Sequence, residues 1–176
     1  MSGHNKWSQI KVQKSKTDAQ KSKLFSKHAK LIAQESKVAN GNVSFPSLAS
    51  AIEKAKKDNV TKDVIDRAVK KGTEAGTVAM ENITYESYGP GGCAIIIEAL
   101  TENRNKAAQE IKHILSEYGL TLATPGSASW AFEKKANEWL PKTTIPLSET
   151  DLESLQKIVE ELEENDEVQE VFTNAE

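Results

Sequence analysis

The spacing of apolar residues changes at Gly72, and no other feature of the sequence limits the fold as strongly. Before Gly72 the apolar residues recur every three to four positions, as they do along one face of a helix. This spacing predicts helices over about 18–39, 46–58 and 62–72. Since none of these short helices can bury its apolar face alone, the sequence predicts a three-helix bundle.

After Gly72 the sequence predicts an alternation of strands and helices. The predicted strands are 83–86, 93–100, 127–134, 143–147 and 168–172, and the predicted helices are 103–118 and 149–162. This order is that of an α+β domain, in which helices cover one face of a mostly antiparallel sheet. We therefore expect a helical domain at 1–75 and an α+β domain at 76–176. Residues 1–17 are predicted to form an extended arm before the first helix.

Charge is divided unevenly along the chain. Residues 1–72 carry 16 basic and 6 acidic side chains, whereas residues 73–176 carry 7 basic and 20 acidic ones. Such a division indicates a nucleic-acid-binding part joined to a part with another role. The alternative is that the two parts carry opposite charge only because they attract each other.

Two further features of the sequence indicate the compartment. A single cysteine, Cys93, excludes an intramolecular disulfide and is typical of a reducing environment. No run of about 18 apolar residues is present, so a membrane partner is not expected. We expect a cytoplasmic monomer.

Five lysines share one side of the first predicted helix, within roughly 80° when successive residues turn by about 100°. They are Lys16, Lys23, Lys27, Lys30 and Lys37. The apolar stripe of the same helix is centred roughly 140° away, so the lysines are expected to face outward. Lysines at this pitch can follow phosphates, because each contact releases a condensed counterion. The alternative is an ordinary solvated surface, although such surfaces usually mix Glu with Lys.

Other candidate nucleic-acid contacts lie outside this row. They are His4, Lys6, Trp7, Lys11 and Lys14 in the arm, Arg67, Lys70 and Lys71 in the third helix, and Arg104 at the start of a later helix. Arg104 either binds a phosphate at that helix start or only accompanies the cap residue Asn103. Trp7 either anchors the arm to the bundle or offers its ring to an unstacked base.

Nothing in the sequence indicates catalysis. The three histidines lie in three different predicted elements, and His28 falls within an apolar stripe. Cys93 opens an apolar strand, which is typical of an inert buried thiol. None of the common nucleophile, nucleotide-binding or zinc-protease motifs occurs. We expect no catalytic residues, no metal site and no cofactor.

Several ordered motifs resemble one known family. They are 2–11 (SGHNKWSQIK), 18–19, 25–27, 51–52, 55–56, 63–71, 88–92, 101–105, 126–127, 143–147 and 168–175. Together they resemble the YebC/PmpR family of probable transcriptional regulators, whose relatives include mitochondrial translational activators of cytochrome oxidase subunit I. The resemblance implies a helical N-terminal domain, a ferredoxin-like α+β domain and no catalytic centre.

The chain also departs from the pattern of that family. A further α+β domain usually follows the stretch matching 132–135, but here only 136–141 separates that stretch from the next predicted strand. That third domain is therefore expected to be missing. Gln20 and Ala49 stand where arginine is common in the family, and Thr61 stands where proline is common, so the basic surface is expected to be weaker.

The sequence thus predicts a non-enzymatic, nucleic-acid-binding regulator of gene expression. Control of transcription through DNA is the main expectation, and binding of ribosomal RNA or transfer RNA on the ribosome is the alternative. The second and third helices meet at 59–61, which permits a helix-turn-helix geometry. The third helix has no cluster of Asn, Gln or Arg suited to base edges, which favours contacts to the backbone. An adaptor role for the acidic C-terminal helix is a third possibility.

Overall fold

A computed structural model describes residues 6–13 and 16–176. The helices are α1 (Lys6–Gln13), α2 (Asp18–Ala39), α3 (Pro46–Lys57), α4 (Lys62–Thr73), α5 (Arg104–Glu117) and α6 (Glu149–Glu164). The strands are β1 (Glu81–Tyr88), β2 (Ala94–Thr101), β3 (Leu122–Ala123), β4 (Phe132–Lys135), β5 (Glu138–Pro141) and β6 (Val168–Thr173). The chain divides into two compact units. Lys16–Met80 form the helical unit, and α1 together with Glu81–Glu176 forms the α+β unit.

The helical unit is the predicted bundle of α2, α3 and α4. Thr17 caps the start of α2, its hydroxyl accepting from the backbone of Gln20, and Thr61 caps α4 in the same way. Asn40 adopts a left-handed conformation and ends α2. The core of the unit consists of small and branched side chains from all three helices. These include Ile32, Leu48, Ala51, Ala55, Ile65 and Ala68.

Helices α2 and α4 pack closely together at Gly72. A Cβ atom added there would lie 2.3 Å from the carbonyl oxygen of Ala33 and 2.7 Å from Cβ of Ser36. The hydroxyl of Ser36 donates to the carbonyl of Val69 at 2.6 Å. The glycine is therefore required by the close packing of the two backbones.

Replacing Gly72 with alanine should destabilise the helical unit by about 1–3 kcal/mol, because the two helices must separate to admit the methyl group. Urea denaturation measures this loss. Ser50→Ala, at an exposed position of α3, is the control and should change stability by less than about 0.5 kcal/mol. Equal stability of the two variants would show that the helices do not meet at Gly72.

The α+β unit is built on a four-stranded antiparallel sheet of order β3-β1-β2-β6. Helices α5 and α6 pack on the face that carries Ile95, Ile97 and Ala99 of β2. Two helices over one face of such a sheet is the layering of a ferredoxin-like domain. The predicted α+β class is therefore confirmed.

The opposite face of the sheet is covered by the segment that leads into the β4–β5 hairpin. Ala94 and Ile96 of β2 contact Ala128, Ala131 and Phe132 in a second, smaller core. The indole N–H of Trp139, in β5, donates to the Glu98 carboxylate at 2.6 Å. The hairpin therefore packs across the sheet and does not extend it.

Some predicted elements of the α+β unit were wrong. Residues 127–134 begin with a turn and a short 3₁₀ helix at Ser129–Ala131, and only the last part is strand β4. Residues 143–147 form no strand, because only Ile145 makes an isolated bridge, to Ala175. The alternation of apolar residues in these segments comes from packing against the sheet and not from strand pairing.

The arm also differs from its prediction. Residues 6–13 are helix α1 and not an extended chain. Trp7 is 8% exposed and belongs to the core beneath α5 and α6, where Ile10 packs beside it. Helix α1 therefore groups with the α+β unit, whereas the prediction placed it in a domain spanning 1–75. Among the described residues, no helix is both long and apolar enough to cross a bilayer.

Candidate nucleic-acid interface

Positive charge is concentrated in the helical unit, which carries 13 basic and 7 acidic side chains. Five of its lysines are exposed and form no ion pair with another described residue. They are Lys16, Lys21, Lys57, Lys70 and Lys71. Unpaired lysines of this kind are able to exchange their counterions for phosphates without first breaking an internal contact.

The predicted outward row of lysines on α2 was wrong for most of its members. Lys27 is 8% exposed, and Nζ of Lys37 donates to the Thr77 carbonyl at 2.7 Å. Lys23 and Lys30 are half-buried and already have polar contacts, which leaves Lys16 exposed. The polar residues His28, Gln34 and Ser36 of α2 are buried as well. Helix α2 is thus enclosed over more of its circumference than the apolar stripe alone indicates.

Two exposed lysines and the half-buried Lys37 lie at the end of the unit where α2 and α4 finish. The Thr77 hydroxyl donates to the Lys71 carbonyl at 2.9 Å, while the Thr77 carbonyl accepts from Lys37. Lys70 and Lys71 occupy the last turn of α4 and are exposed. We call Lys37, Lys70 and Lys71 the lysine end. The negative end of the helix dipole also stabilises lysines in a last helical turn.

The outward side of α4 is otherwise neutralised within the helix. Arg67 pairs with Asp63 at 3.1 Å, and Lys62 pairs with Asp66 at 3.0 Å. Arg67, the one arginine of the unit, therefore already has a carboxylate partner. An arginine engaged in this way is poorly available for the bidentate contact that reads guanine.

The connection between α3 and α4 fits a helix-turn-helix in length. Asn59 has a φ of 63°, and Val60 is buried with its N–H donating to the Ala55 carbonyl at 3.0 Å. The Nε2 atom of His28 lies 2.6 Å from a carboxylate oxygen of Asp58, which ties the turn to α2. The histidine is therefore part of the packing, as its place in an apolar stripe predicts.

The remaining predicted contacts do not join this surface. Nζ of Lys6 lies 3.3 Å from the Glu149 carboxylate, and a guanidinium nitrogen of Arg104 lies 2.6 Å from that of Glu81. The hydrogen bond with Arg104 lowers the pKa of Glu81 and raises that of Arg104. Both cations thus form ion pairs within the α+β unit. His4, Lys14 and the side chain of Lys11 lie outside the described residues.

Trp7 is not available to a base. Because Trp7 is buried, the anchor role remains. It anchors α1 to the α+β core, and not to the helical bundle as expected from the sequence. A ring packed in this way has no free face on which a base could stack.

Two features of the α+β unit were missed by the sequence reading. The Glu86 carboxylate accepts from the N–H groups of Gly126, Ala128 and Ser129. Burial opposes its ionisation, but these donors outweigh that effect and the pKa of Glu86 lies below its ordinary value. The second feature is Trp130, which is 57% exposed. Neither residue belongs to a local motif that would have revealed it.

The described residues include one buried thiol and no grouping of metal ligands. Cys93 is fully buried, and burial raises the pKa of its thiol. Within the described part of the chain, no group of three or more His, Cys, Asp or Glu side chains is arranged to hold a metal ion.

Comparison with known proteins identifies the family. The family model described as TACO1/YebC protein N-terminal domain matches residues 5–75, and the one described as TACO1/YebC second and third domain matches 80–138 and 136–175. The chain belongs to the TACO1/YebC family. The boundary between the two family models, at 75–80, lies next to the junction of the helical and α+β units.

Similar members of the family carry the name probable transcriptional regulatory protein. The one from Thermoanaerobacter pseudethanolicus is 36% identical over 239 positions, which cover 100% of this chain and 97% of that protein. The one from Petrotoga mobilis is 41% identical over 176 positions, covering 98% and 70%. A crystal structure of a conserved hypothetical protein, Aq1575 of Aquifex aeolicus, has a TM-score of 0.79 at 29% identity and covers 97% of this chain and 96% of that one.

The same comparisons locate the missing domain. The alignment with the Thermoanaerobacter protein spans 239 positions, although this chain has 176 residues. The two pieces matched by the second family model meet at 136–138, in the turn between β4 and β5. Ala136 has a φ of 53°, so a tight turn stands where the family inserts its third domain. The predicted loss of that domain is confirmed.

Proposed function

We propose that this protein regulates transcription by binding DNA through its helical unit, without catalysing a reaction. The observation that carries the proposal is the exposed, unpaired lysines of that unit, in a chain whose α+β unit is acidic. The names of the relatives support the same function. We further propose that the protein acts in the cytoplasm as a monomer.

Contacts of this kind hold the phosphate backbone and carry little sequence information. Lysine is a point charge without the planar fork that arginine offers to guanine. The basic residues nearest the start of α4 are paired with Asp63 and Asp66, so they do not add base contacts. We therefore expect binding that depends steeply on salt and weakly on sequence.

Replacing Lys70 and Lys71 together with glutamine tests the proposal. If both lysines contact phosphates, the slope of log affinity against log salt should become shallower by about 1.8 on duplex DNA, and affinity should fall alike for unrelated sequences. Fluorescence anisotropy titrations at several salt concentrations measure both effects. A structured ribosomal RNA hairpin and a transfer RNA form a second arm, and tighter binding there than on DNA would favour the ribosomal alternative.

The matched control is the double substitution Lys112→Gln and Lys157→Gln. Both lysines are exposed on the α+β unit and form no ion pair with another described residue. Replacing them changes the net charge by the same amount as replacing Lys70 and Lys71. This variant should keep the salt slope of the unmodified protein. An equal loss of slope in both double variants would mean that net charge alone acts, and the helical unit would lose its assigned role.

A further inference from the structure

The α+β unit displays a tryptophan whose ring is exposed and yet fixed in orientation. Trp130 is 57% exposed, and its indole N–H donates to the hydroxyl of Tyr88 at 3.0 Å. The Tyr88 hydroxyl in turn donates to the Ser127 carbonyl. An exposed indole normally samples several rotamers. Here the two hydrogen bonds restrict the ring to few orientations.

The backbone beneath Trp130 is fixed as well. The N–H groups of Ala128 and Ser129, the two residues before it, donate to the Glu86 carboxylate at 3.0 and 2.5 Å. Ala131, the residue after it, is fully buried and accepts from the N–H of Lys142 at 2.8 Å. The ring is therefore presented by a rigid support, which lowers the entropy lost when a ligand stacks on it.

The chain segment that contains Trp130 is less acidic than the rest of the unit from Glu81 onward. Between Tyr118 and Ser148 the chain carries three lysines and two glutamates, whereas the rest of the unit from Glu81 carries 4 basic and 17 acidic residues. Lys142 is exposed, forms no ion pair with a described residue and is joined through its backbone to the residue after Trp130. The backbone of Lys142 therefore lies beside the segment that carries Trp130.

We propose that Trp130 is a stacking platform for an unpaired base of single-stranded nucleic acid, with Lys142 contacting the adjacent phosphate. The indole N–H is already satisfied by Tyr88, so the surface left to a ligand is the π face, which accepts any base without hydrogen-bond readout. The small excess of lysine over glutamate between Tyr118 and Ser148 suits a phosphate-bearing ligand. This contact is additional to duplex binding by the helical unit and does not depend on it.

The test compares two labelled single strands by fluorescence anisotropy. One is a decathymidylate, and the other is a decamer of the same backbone in which abasic positions replace most bases. The unmodified full-length chain should bind the decathymidylate more tightly. Trp130→Ala should weaken that binding by about 5- to 150-fold and leave the abasic strand unaffected. A decauridylate arm decides whether DNA or RNA strands are preferred, and binding of either supports the proposal.

Three further variants separate stacking from folding and from charge. Trp130→Phe keeps a π face and should retain most of the affinity, whereas Leu140→Ala removes an exposed apolar side chain of the β4–β5 hairpin and should leave the affinity unchanged. Lys142→Gln should reduce the salt slope by about 0.7 on both strands. An unchanged affinity of Trp130→Ala for decathymidylate, or an equal loss on the abasic strand, would overturn the proposal. None of these variants alters residues 16–80. A negative result for Trp130 therefore does not count against duplex binding by the helical unit, and a negative result for that unit does not count against Trp130.

Discussion

Replacing Trp7 with alanine should destabilise the α+β unit by about 3–5 kcal/mol. The indole is 8% exposed and packs in the same core as the helices α5 and α6, although it comes from the far N-terminus of the chain. Truncation leaves a cavity in that core and removes an apolar contact between α1 and the core. Chemical denaturation followed by circular dichroism measures the loss as a lower midpoint.

Trp130→Ala is the matched control for this prediction, because it removes the same side chain from an exposed position of the same unit. Its denaturation midpoint should change far less than that of Trp7→Ala. Below its own unfolding transition, Trp7→Ala should bind duplex DNA as the unmodified protein does, since the buried ring makes no contact with a ligand. A stable Trp7→Ala variant with reduced affinity for nucleic acid would instead assign Trp7 to the interface.

Replacing Glu86 with alanine should have an effect of similar size, about 3–5 kcal/mol. The carboxylate accepts from three backbone N–H groups, and each buried donor left without an acceptor costs about 1–3 kcal/mol. Glu86→Gln should be milder than Glu86→Ala, because one oxygen remains as an acceptor. It should still destabilise the unit, because the new amide NH2 faces N–H donors and cannot accept from them. Thermal unfolding monitored by circular dichroism gives both values. Glu138→Gln, at an exposed position of the hairpin, should leave stability unchanged.

The stability that Glu86 supplies should also depend on pH. Its pKa is lowered in the folded state from an ordinary value of 4.5, so the unfolded chain binds the proton more readily. The contribution is therefore fully present above about pH 4.5 and is lost as the pH falls through the lowered pKa. Unfolding measured over this range should show a weaker pH dependence in Glu86→Gln than in the unmodified protein. Equal pH profiles would mean that the carboxylate is not held ionised by the loop.

Local signals in the sequence determined the helical unit. The predicted helices 18–39, 46–58 and 62–72 agree with α2, α3 and α4 to within a residue at each end. Apolar spacing, the caps and the turn at Asn40 all act within a few positions of one another, so they can be read without knowing the fold. The α+β class and the missing third domain were also evident from the sequence.

The tertiary structure decided what each charged or aromatic side chain is able to do. Lys27 lies on the side of α2 that the periodicity predicts to be exposed, yet it is buried in the structure. The two tryptophans also differ in exposure. Trp7 lies in a core, whereas Trp130 is exposed. Burial depends on which distant segments meet a residue, and spacing along one helix does not contain that information.

The same reason explains why Glu86 and the β4–β5 hairpin were missed. The donors for Glu86 lie 40 to 43 positions along the chain, and nothing near residue 86 marks it as different from the other carboxylates. Sequence alone therefore determined the helices of the helical unit, the α+β class, the division of charge and the resemblance to the family. Long-range packing decided which lysines are available to phosphates, which tryptophan anchors α1 and which tryptophan remains exposed, because these depend on contacts between residues far apart in the chain.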